Sequence, residues 1–428
     1  MEYMARLIDS EIERFLKIMG AILLVGPKWC GKTTTSTQFS NSVLKLQNPD
    51  KRSSYLQLAE IKPSKLLEGD KPRLIDEWQV APVLWDAVRT SVDEIDDKGL
   101  YILTDSTVVD DEKIMHSGTG RIHRMLMYPM SLFESKESNG KISLKRLFED
   151  KNLDINGIES DLSFENLLHA SCRGGWPESL TIENRKDQLE ISRSYVENIC
   201  QTYVSKIDDV KRDSAKIKLL LTSYARNIST LAKNVNIIED VNSTYTTLDN
   251  TTYYSYISAL KRLFVIDDIV GWSPNIRSKT VIRTGPKRQF IDPSIATATL
   301  NLTPEKLIYD LNTFGFIFEN LCIRDLKIYS QAINGTIYYY HDRLDLEVDC
   351  VIQLDTGEYG FIEFKLGDRE EEKGAKNLLK ITEIIKKKRS EKRTNIPEPS
   401  FLAIVTGGKF AYTRDDGVKV IPIGCLRD

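Results

Sequence analysis

The residues with the clearest chemical meaning lie near the N-terminus, in the segment GPKWCGKTT. Residues 26–33 fit the spacing G-x-x-x-x-G-K-[ST], with the apolar run AILLVG before them and a predicted helix after them. In such a loop the glycines let backbone N–H groups surround phosphate oxygens, and the lysine places a positive charge on them. The hydroxyl of the last residue can ligate Mg²⁺. The segment therefore predicts a site for a nucleoside triphosphate, which we take to be ATP with Mg²⁺.

Polar residues also end the next two apolar runs, RLIDEW and LYILTDS. We expect Asp76 to hold Mg²⁺ together with Thr33, and Glu77 to act as the general base on the attacking water. Ser106, or alternatively Asp105, would sense the γ-phosphate; an ordinary turn is the other interpretation. The residues predicted to contact the nucleotide are Gly26, Pro27, Lys28, Trp29, Cys30, Gly31, Lys32, Thr33, Thr34 and Ser106.

Two arginines follow in GRIHR, and a guanidinium there would neutralise charge in the transition state of phosphoryl transfer. We predict Arg121 as the catalytic arginine, with Arg124 as its neighbour in the motif. It would act within the chain or across a subunit boundary, and a solvated arginine remains the alternative.

A second constellation lies near the C-terminus. Asp349 lies in LEVDCVIQL, Glu363 and Lys365 lie in IEFKL, and a DTG turn between the two runs predicts a hairpin. Side chains alternate along a strand, so Glu363 and Lys365 share a face. Two carboxylates and a lysine suit metal-assisted phosphodiester cleavage, and Glu319 on the preceding helix would add an acid. The alternative is an inherited fold without catalysis.

Length and composition exclude several classes of protein. A chain of 428 residues predicts more than one domain. With 59 basic and 62 acidic residues the net charge is −3, so no global basic field attracts nucleic acid. The six cysteines form no C-x-x-C pair, no apolar run is long enough to span a membrane, and the N-terminus does not resemble a secretory signal. We expect a cytoplasmic protein without membrane contact.

The elements that must position these residues predict an α/β protein of four parts. Strand, loop and helix patterns predict a P-loop ATPase core over residues 1–135 and a helical lid over 136–212. Three short helices and the strand-like run FVIDDIVGW predict a winged helix-turn-helix over 213–275. The remainder, 276–428, predicts a separate α/β domain.

Six segments in this order carry a resemblance: GPKWCGKTTT, RLIDEWQ, HSGTGR, YPMSLFES, GGWPES, and EVD followed by EFKLG. Together they resemble the prokaryotic AAA-type ATPases that carry a C-terminal restriction-endonuclease-like domain, of the PD-(D/E)xK type, of unknown function. The resemblance covers nearly the whole chain and implies an ATPase core, a winged helix and a nuclease-like domain. Asp105 departs from the family, which usually has glycine before the serine of that strand.

Two hypotheses for function follow. In the first, ATP hydrolysis switches a DNA-directed winged helix coupled to a nuclease-like domain. In the second, the chain is a signalling ATPase whose C-terminal domains bind protein partners and cleave nothing. Both predict ATP as a ligand and allow a homo-oligomer, and nuclease activity remains open between them.

Overall fold

A computed structural model describes residues 3–107, 118–204, 210, 212–244, 246–273, 285–342, 346–367, 370–391 and 395–428. The start of the HSGTGR segment and the predicted boundary between residues 275 and 276 lie outside the described residues. The chain divides into two compact units. The first unit comprises residues 1–129 and 258–264, and the second comprises 130–257 and 265–428. The division into four parts stays a prediction.

The first unit contains a five-stranded sheet in which every strand pair is parallel. Its strands are β1 (Ala21–Val25), β2 (Ser42–Lys45), β3 (Arg73–Asp76), β4 (Tyr101–Asp105) and β5 (Ile122–Leu126). Its helices are α1 (Asp9–Ile18), α2 (Lys32–Gln38), α3 (Arg52–Ile61) and α4 (Val83–Ile95). Helix α1 confirms the helix that the sequence pattern predicts over about residues 8–19. Strands β1, β3 and β4 confirm the strands predicted at AILLVG, RLIDEW and LYILTDS, and α2 confirms the helix from Lys32.

The apolar run of β1 explains its place inside this sheet, between β4 and β5. Ala21, Leu23 and Val25 pack in one hydrophobic cluster, and Ile22 and Leu24 pack in another. Successive side chains of a strand point to opposite faces, so an uninterrupted apolar run suits a parallel strand that is covered on both sides. The strand order is β2-β3-β4-β1-β5, which places β4 between the other two strands that end in predicted site residues.

The second unit contains a seven-stranded mixed sheet in the order β7-β12-β13-β11-β10-β9-β8, and a separate strand pair β14-β6. Its strands are β6 (Ile142–Ser143), β7 (Ile158–Glu159), β8 (Gly335–His341), β9 (Glu347–Leu354), β10 (Tyr359–Lys365), β11 (Leu402–Thr406), β12 (Phe410–Thr413), β13 (Lys419–Pro422) and β14 (Leu426–Arg427). The runs TIYYYHD, LEVDCVIQL, EYGFIEFKL and FLAIVTG each predict a strand, and the structure confirms them as β8, β9, β10 and β11. The predicted antiparallel β9–β10 hairpin is also confirmed.

Ten helices lie partly or wholly in the second unit among the described residues. They are α5 (Leu144–Glu149), α6 (Phe164–Arg173), α7 (Arg185–Asn198), α8 (Ser214–Arg226), α9 (Asn234–Asn242), α10 (Asn250–Arg262), α11 (Pro293–Thr299), α12 (Pro304–Leu307), α13 (Leu311–Ala332) and α14 (Glu371–Ser390). Of the three helices predicted for the winged helix, the first and the third are confirmed as α8 and α10. The second was predicted at TLAKNV, whereas α9 begins only at Asn234. The strand predicted at FVIDDIVGW is instead a set of isolated bridges, which include Ile266 with Phe290 and Ile269 with Lys287.

The segment predicted as a helical lid shares backbone hydrogen bonds with strands of the C-terminal part of the chain. Strand β7 pairs with β12, and β6 pairs with β14. Helices α6 and α7 pack against α11, which belongs to the predicted C-terminal part. The segment is therefore not a self-contained helical element, because its backbone groups complete a sheet built mostly from residues beyond 335.

Two motifs that carried the family resemblance, YPMSLFES and GGWPES, meet in the core of this unit. In GGWPES, the Gly175 carbonyl accepts a hydrogen bond from the backbone N–H of Met130 at 2.7 Å, and the Gly175 N–H donates to Asp292 at 2.9 Å. The buried Arg324 guanidinium bridges Asp292 and Asp325, with contacts of 2.9 Å and 2.7 Å. These segments are held by buried charge-assisted hydrogen bonds, so their residue types serve the fold.

Among the described residues, no helix combines the length and the apolar character needed to cross a membrane.

Candidate functional site

The predicted phosphate loop follows β1 and depends on two glycines. Gly26 has φ 154°, and a Cβ there would lie 2.2 Å from the Met127 carbonyl oxygen. Gly31 has φ 103° and directly precedes α2. Only glycine adopts such backbone angles without strain, and only glycine fits against a neighbouring carbonyl at that distance. The loop geometry is thus set by the two glycines of the motif.

The Lys32 side chain is buried beneath this loop. Its ammonium donates hydrogen bonds to the carbonyl oxygens of Gly26, at 2.9 Å, and Pro27, at 2.8 Å. The lysine charge is therefore placed at the loop.

The other loop residues differ in exposure. Trp29 has φ 69° and its ring is 40% exposed, whereas Cys30 is buried with its Sγ 3.6 Å from the Met127 carbonyl oxygen. The Cys30 carbonyl accepts a 2.9 Å hydrogen bond from the buried guanidinium of Arg6. Thr34 lies exposed in the first turn of α2. Lys28 also lies in this loop and is half-buried.

Thr33 and Asp76, the predicted Mg²⁺ ligands, are in direct contact. The Thr33 hydroxyl donates to Asp76 Oδ1 at 2.7 Å. The Thr104 hydroxyl donates to the same oxygen at 2.8 Å. A hydroxyl and a carboxylate side by side are hard oxygen ligands that suit Mg²⁺. The pair arises because β3 and α2 both meet the carboxyl edge of the sheet.

Glu77, the predicted general base, follows Asp76 in a left-handed conformation with φ 57°. Its backbone N–H donates to Thr104 Oγ1 at 3.0 Å. Its carboxylate accepts hydrogen bonds from the Ser106 hydroxyl, at 3.2 Å, and from the Gln79 amide. A non-glycine residue in this region of φ is strained, and such strain is concentrated at functional sites. The structure therefore brings Glu77 and Ser106 together, with Thr104 beneath them.

Asp105 is buried at the end of β4. Burial, together with the negative charge of Glu77, raises the pKa of this carboxyl to about 7, although hydrogen bonds from Thr107 and the charge of Lys32 oppose the rise. Its Oδ1 accepts the Thr107 N–H at 2.8 Å. Asp105 is thus a buried acid beside the predicted base.

Arg121 does not reach this site within the chain. Its carbonyl accepts the N–H of Ala21 at 3.0 Å, so it lies where β1 begins, whereas the phosphate loop lies where β1 ends. Five residues of strand, at about 3.3 Å each, separate the two edges. The Arg121 side chain is 45% exposed and pairs with Asp93 at 2.8 Å. The interpretation as a catalytic arginine within the chain is corrected by this placement, and a role across a subunit boundary stays a prediction.

The C-terminal constellation lies wholly in the second unit, and the structure brings together its four predicted members. Asp349 on β9, Glu363 and Lys365 on β10, and Glu319 on α13 form one cluster. The Lys365 ammonium lies 2.8 Å from Glu363 Oε2 and 3.6 Å from Asp349 Oδ2. Their roles in cleavage stay predictions.

Two further members were missed by the sequence analysis. Lys287 places its ammonium 2.7 Å from Glu319, 3.0 Å from Asp349 and 3.1 Å from Glu347. Glu347 lies on the same strand as Asp349, so strand alternation offered a signal for it. Lys287 comes from a distant segment, PKRQF, and nothing in its sequence neighbourhood indicates burial.

Ionisation in this cluster follows from burial and close charges. Burial raises the pKa of Glu319 and of Glu363, each to about 8, although Lys287 lowers the first and Lys365 the second. Burial also disfavours the charged form of Asp349, but Lys287 and Lys365 outweigh it and lower that pKa to about 2. Burial lowers the pKa of Lys287, but Glu319, Asp349 and Glu347 raise it well above its usual value. Asp349 and Lys287 form the charged centre of the cluster.

Three family comparisons match separate parts of the chain. Residues 19–136 match the family described as AAA domain. Residues 164–306 and 314–426 match two families described as domains of unknown function, DUF8612 and DUF4143. The first match covers the sheet with its phosphate loop, so the chain contains an AAA-type ATPase domain.

Among curated protein sequences, none matches this chain. Solved structures offer distant likenesses. The Walker-type ATPase PABY2304 of Pyrococcus abyssi is 15% identical over 70% of this chain and 96% of its own, with a TM-score of 0.43. A DNA replication initiation factor is 10% identical over 59% of this chain and 85% of its own, with a TM-score of 0.24. The Drosophila ORC bound to DNA is 13% identical over 66% of this chain and 91% of its own, with a TM-score of 0.20. Scores this low establish nothing about the activity or partners of this chain.

Proposed function

We propose that this chain binds ATP with Mg²⁺ at the loop of residues 26–33 and hydrolyses it with Glu77 as the general base. The observation that carries the proposal is the meeting of Thr33, Asp76 and Glu77 at the carboxyl edge of the AAA-type sheet, next to the buried ammonium of Lys32. Positive charge, hard oxygen ligands and a carboxylate base are the groups that phosphoryl transfer to water uses.

The residues present fit a nucleotide with its metal ion. The Gly26 backbone leaves space where any side chain would collide with Met127, and backbone N–H groups of the loop suit phosphate oxygens. Thr33 and Asp76 would hold Mg²⁺, which supplies neutralisation of charge on the phosphate oxygens. Lys32 would exchange its bonds to the loop carbonyls for bonds to the β and γ phosphates.

Glu77 is the residue suited to move a proton. Its carboxylate is oriented by the hydroxyl of Ser106 and the amide of Gln79, and its backbone is held by Thr104. A carboxylate so held accepts a proton from an attacking water in a fixed direction. Ser106 lies at the end of the strand beside it, where it would sense the γ-phosphate.

The test is steady-state ATP turnover together with nucleotide binding for two variants and two matched controls. Lys32→Ala should abolish binding or hydrolysis, whereas Lys51→Ala, an exposed lysine of the same unit, should change neither. Glu77→Gln should keep ATP binding and lose about 10² to 10⁴-fold in kcat, whereas Glu60→Gln, at an exposed acid on α3, should not. Normal turnover in Lys32→Ala would refute the site, and normal turnover in Glu77→Gln would refute the base.

We further propose that hydrolysis switches a DNA-directed module formed by α8, α9 and α10. Three helices followed by antiparallel bridges at Ile266 and Ile269 support this, because a winged helix has that order of elements. In the alternative, the same region binds a protein partner in a signalling ATPase. DNA binding measured with and without ATP separates the two, since only the first requires an affinity for DNA that depends on the nucleotide.

A further inference from the structure

The carboxylate cluster of the second unit surrounds a buried lysine. The Lys287 side chain is 2% exposed, and Ile269 fixes its backbone through a pair of hydrogen bonds of 2.9 Å and 3.1 Å. Its ammonium lies 2.7 Å from Glu319 Oε1, 3.0 Å from Asp349 Oδ1 and 3.1 Å from Glu347 Oε1. The ammonium is thus at the point on which these carboxylates converge.

The number of partners matches the chemistry of an ammonium group. A protonated lysine carries three N–H donors and no acceptor, and Lys287 has three carboxylate oxygens at contact distance. Three close acidic partners make its burial tolerable, since a buried charge is stable only when it is paired. Lys287 therefore has three ion-pair partners, of which Asp349 Oδ1 also accepts a hydrogen bond.

The outer oxygens of the cluster are also engaged. Asp349 Oδ2 accepts the backbone N–H of Phe364 at 3.1 Å and lies 3.6 Å from the Lys365 ammonium. Glu363 pairs with Lys365 at 2.8 Å. Helix α14 packs against Lys365 at Gly374, where an added Cβ would lie 3.3 Å from the Lys365 side chain. Asp349 thus has an intramolecular cation on each side, Lys287 at Oδ1 and Lys365 at Oδ2.

These residues do not fit a divalent cation. Mg²⁺ takes six oxygen ligands at 2.0 to 2.1 Å, and Ca²⁺ takes six to eight at 2.3 to 2.6 Å. The point that Glu319, Glu347 and Asp349 share holds Nζ of Lys287, and a second positive charge there would meet both steric overlap and repulsion. In the described part of the chain, no group of three or more His, Cys, Asp and Glu side chains is arranged to hold a metal ion.

We infer that the Lys287 ammonium permanently takes the place that a divalent cation has in a metal-dependent nuclease site. The second unit is then a nuclease-like domain whose acidic centre stabilises the fold and does not cleave phosphodiesters. This inference is independent of the proposed ATPase activity, which belongs to residues of the first unit.

The test uses the full chain without nucleotide and Mn²⁺ as the probe, with binding followed by electron paramagnetic resonance and stability by thermal unfolding. Wild type and Asp349→Asn should bind Mn²⁺ equally, because the cluster contributes no site. Lys287→Met, which keeps the length of the side chain and removes the charge, should unfold at a lower temperature. Mn²⁺ at about a hundredfold above its Kd should raise the unfolding temperature of Lys287→Met by roughly 5 to 10 °C. It should not raise the unfolding temperature of the double variant that carries both Lys287→Met and Asp349→Asn.

A second buried lysine provides the matched control. Lys419 is also buried in this unit, but its ammonium donates to the Leu153 carbonyl oxygen at 2.7 Å. Lys419→Met should lose stability without any response to Mn²⁺. If Lys287→Met fails to fold in both the presence and absence of Mn²⁺, the comparison of wild type with Asp349→Asn decides alone. Mn²⁺ binding or Mn²⁺-dependent DNA cleavage that is present in wild type and lost in Asp349→Asn overturns the inference, as does a folded Lys287→Met that ignores Mn²⁺.

Discussion

Thr104 holds Asp76 directly, because its hydroxyl donates to Asp76 Oδ1 across 2.8 Å. The same hydroxyl oxygen accepts the backbone N–H of Glu77 at 3.0 Å. One side chain thereby fixes the predicted Mg²⁺ ligand and the backbone of the predicted base. Groups that orient metal ligands typically contribute 10 to 100-fold to metal affinity or activity.

We predict that Thr104→Val lowers kcat for ATP hydrolysis by about 10 to 100-fold and raises the Mg²⁺ concentration needed for half-maximal turnover. Valine keeps the volume but neither donates to Asp76 nor accepts from Glu77. Thr104→Ser should restore most of the activity, because it keeps the hydroxyl. A loss of stability with an unchanged Mg²⁺ dependence would show that Thr104 has only a packing role.

Asp105 should make the stability of the first unit depend on pH. Its folded-state pKa is raised to about 7, whereas an unperturbed aspartate has a pKa of about 3.9. Between these values the native state binds more protons than the unfolded state, so the free energy of unfolding falls as the pH rises from about 4 to about 7 and is then constant.

Asp105→Asn removes this titration, so the variant should be more stable than wild type above pH 7, by on the order of 2 to 4 kcal/mol. The difference should shrink as the pH falls towards 4. Denaturant unfolding at pH 5 and pH 8 measures it, with the exposed Asp70→Asn as the control that should differ little from wild type at either pH. A pH-independent effect of Asp105→Asn would contradict the prediction.

Local pattern was sufficient for the strand, loop and helix around Lys32. The apolar run of β1, the two glycines and the motif residues are contiguous, so the sequence predicts the element order around the loop. The pairing of Thr33 with Asp76 was predictable for a related reason. Parallel strands end at one edge of a sheet, so polar residues at their ends converge.

Other members of the sites depend on long-range packing, which a single sequence does not reveal. A threonine within a strand, such as Thr104, carries no sign of its partners. Lys287 enters its cluster because its backbone pairs with Ile269, and a lysine between proline and arginine otherwise indicates an exposed residue. Arg121 was expected near the phosphate loop because strand β5, which follows it, was not predicted. Because Arg121 directly precedes β5, it lies at the edge of the sheet where the parallel strands begin, and the phosphate loop lies at the edge where they end.

Arg6 should support nucleotide binding from beneath the loop. Its buried guanidinium donates to the carbonyl oxygens of Cys30 and Tyr128, each at 2.9 Å. Arg6→Met should weaken nucleotide affinity and lower the free energy of unfolding by about 1.5 to 3 kcal/mol for each charge-assisted bond lost. Fluorescent nucleotide titration and denaturant unfolding measure the two effects. Arg14→Met, which removes a surface pair with Glu11, should cost no more than about 1 kcal/mol and leave affinity unchanged.

The face of α10 that carries Tyr254, Lys261 and Arg262 gives the last prediction. Tyr254 is 57% exposed, whereas Tyr253 on the adjacent face is buried. Positions seven and eight residues apart lie on one side of a helix, so the two basic residues share the side of Tyr254. If this helix contacts DNA, these residues should contact phosphates, and affinity should fall steeply with added salt.

Replacing both Lys261 and Arg262 by alanine should reduce the slope of log affinity against log salt by about 2, which corresponds to two lost phosphate contacts. Lys373→Ala with Lys380→Ala, a pair of exposed lysines on α14, removes the same charge elsewhere and should leave the slope unchanged. Fluorescence anisotropy with a labelled duplex at several salt concentrations measures both. An equal loss in the two double variants would assign the effect to net charge, because general attraction depends on total charge and not on position. Binding that ignores salt, or no binding at all, would instead favour the alternative in which this region recognises a protein partner.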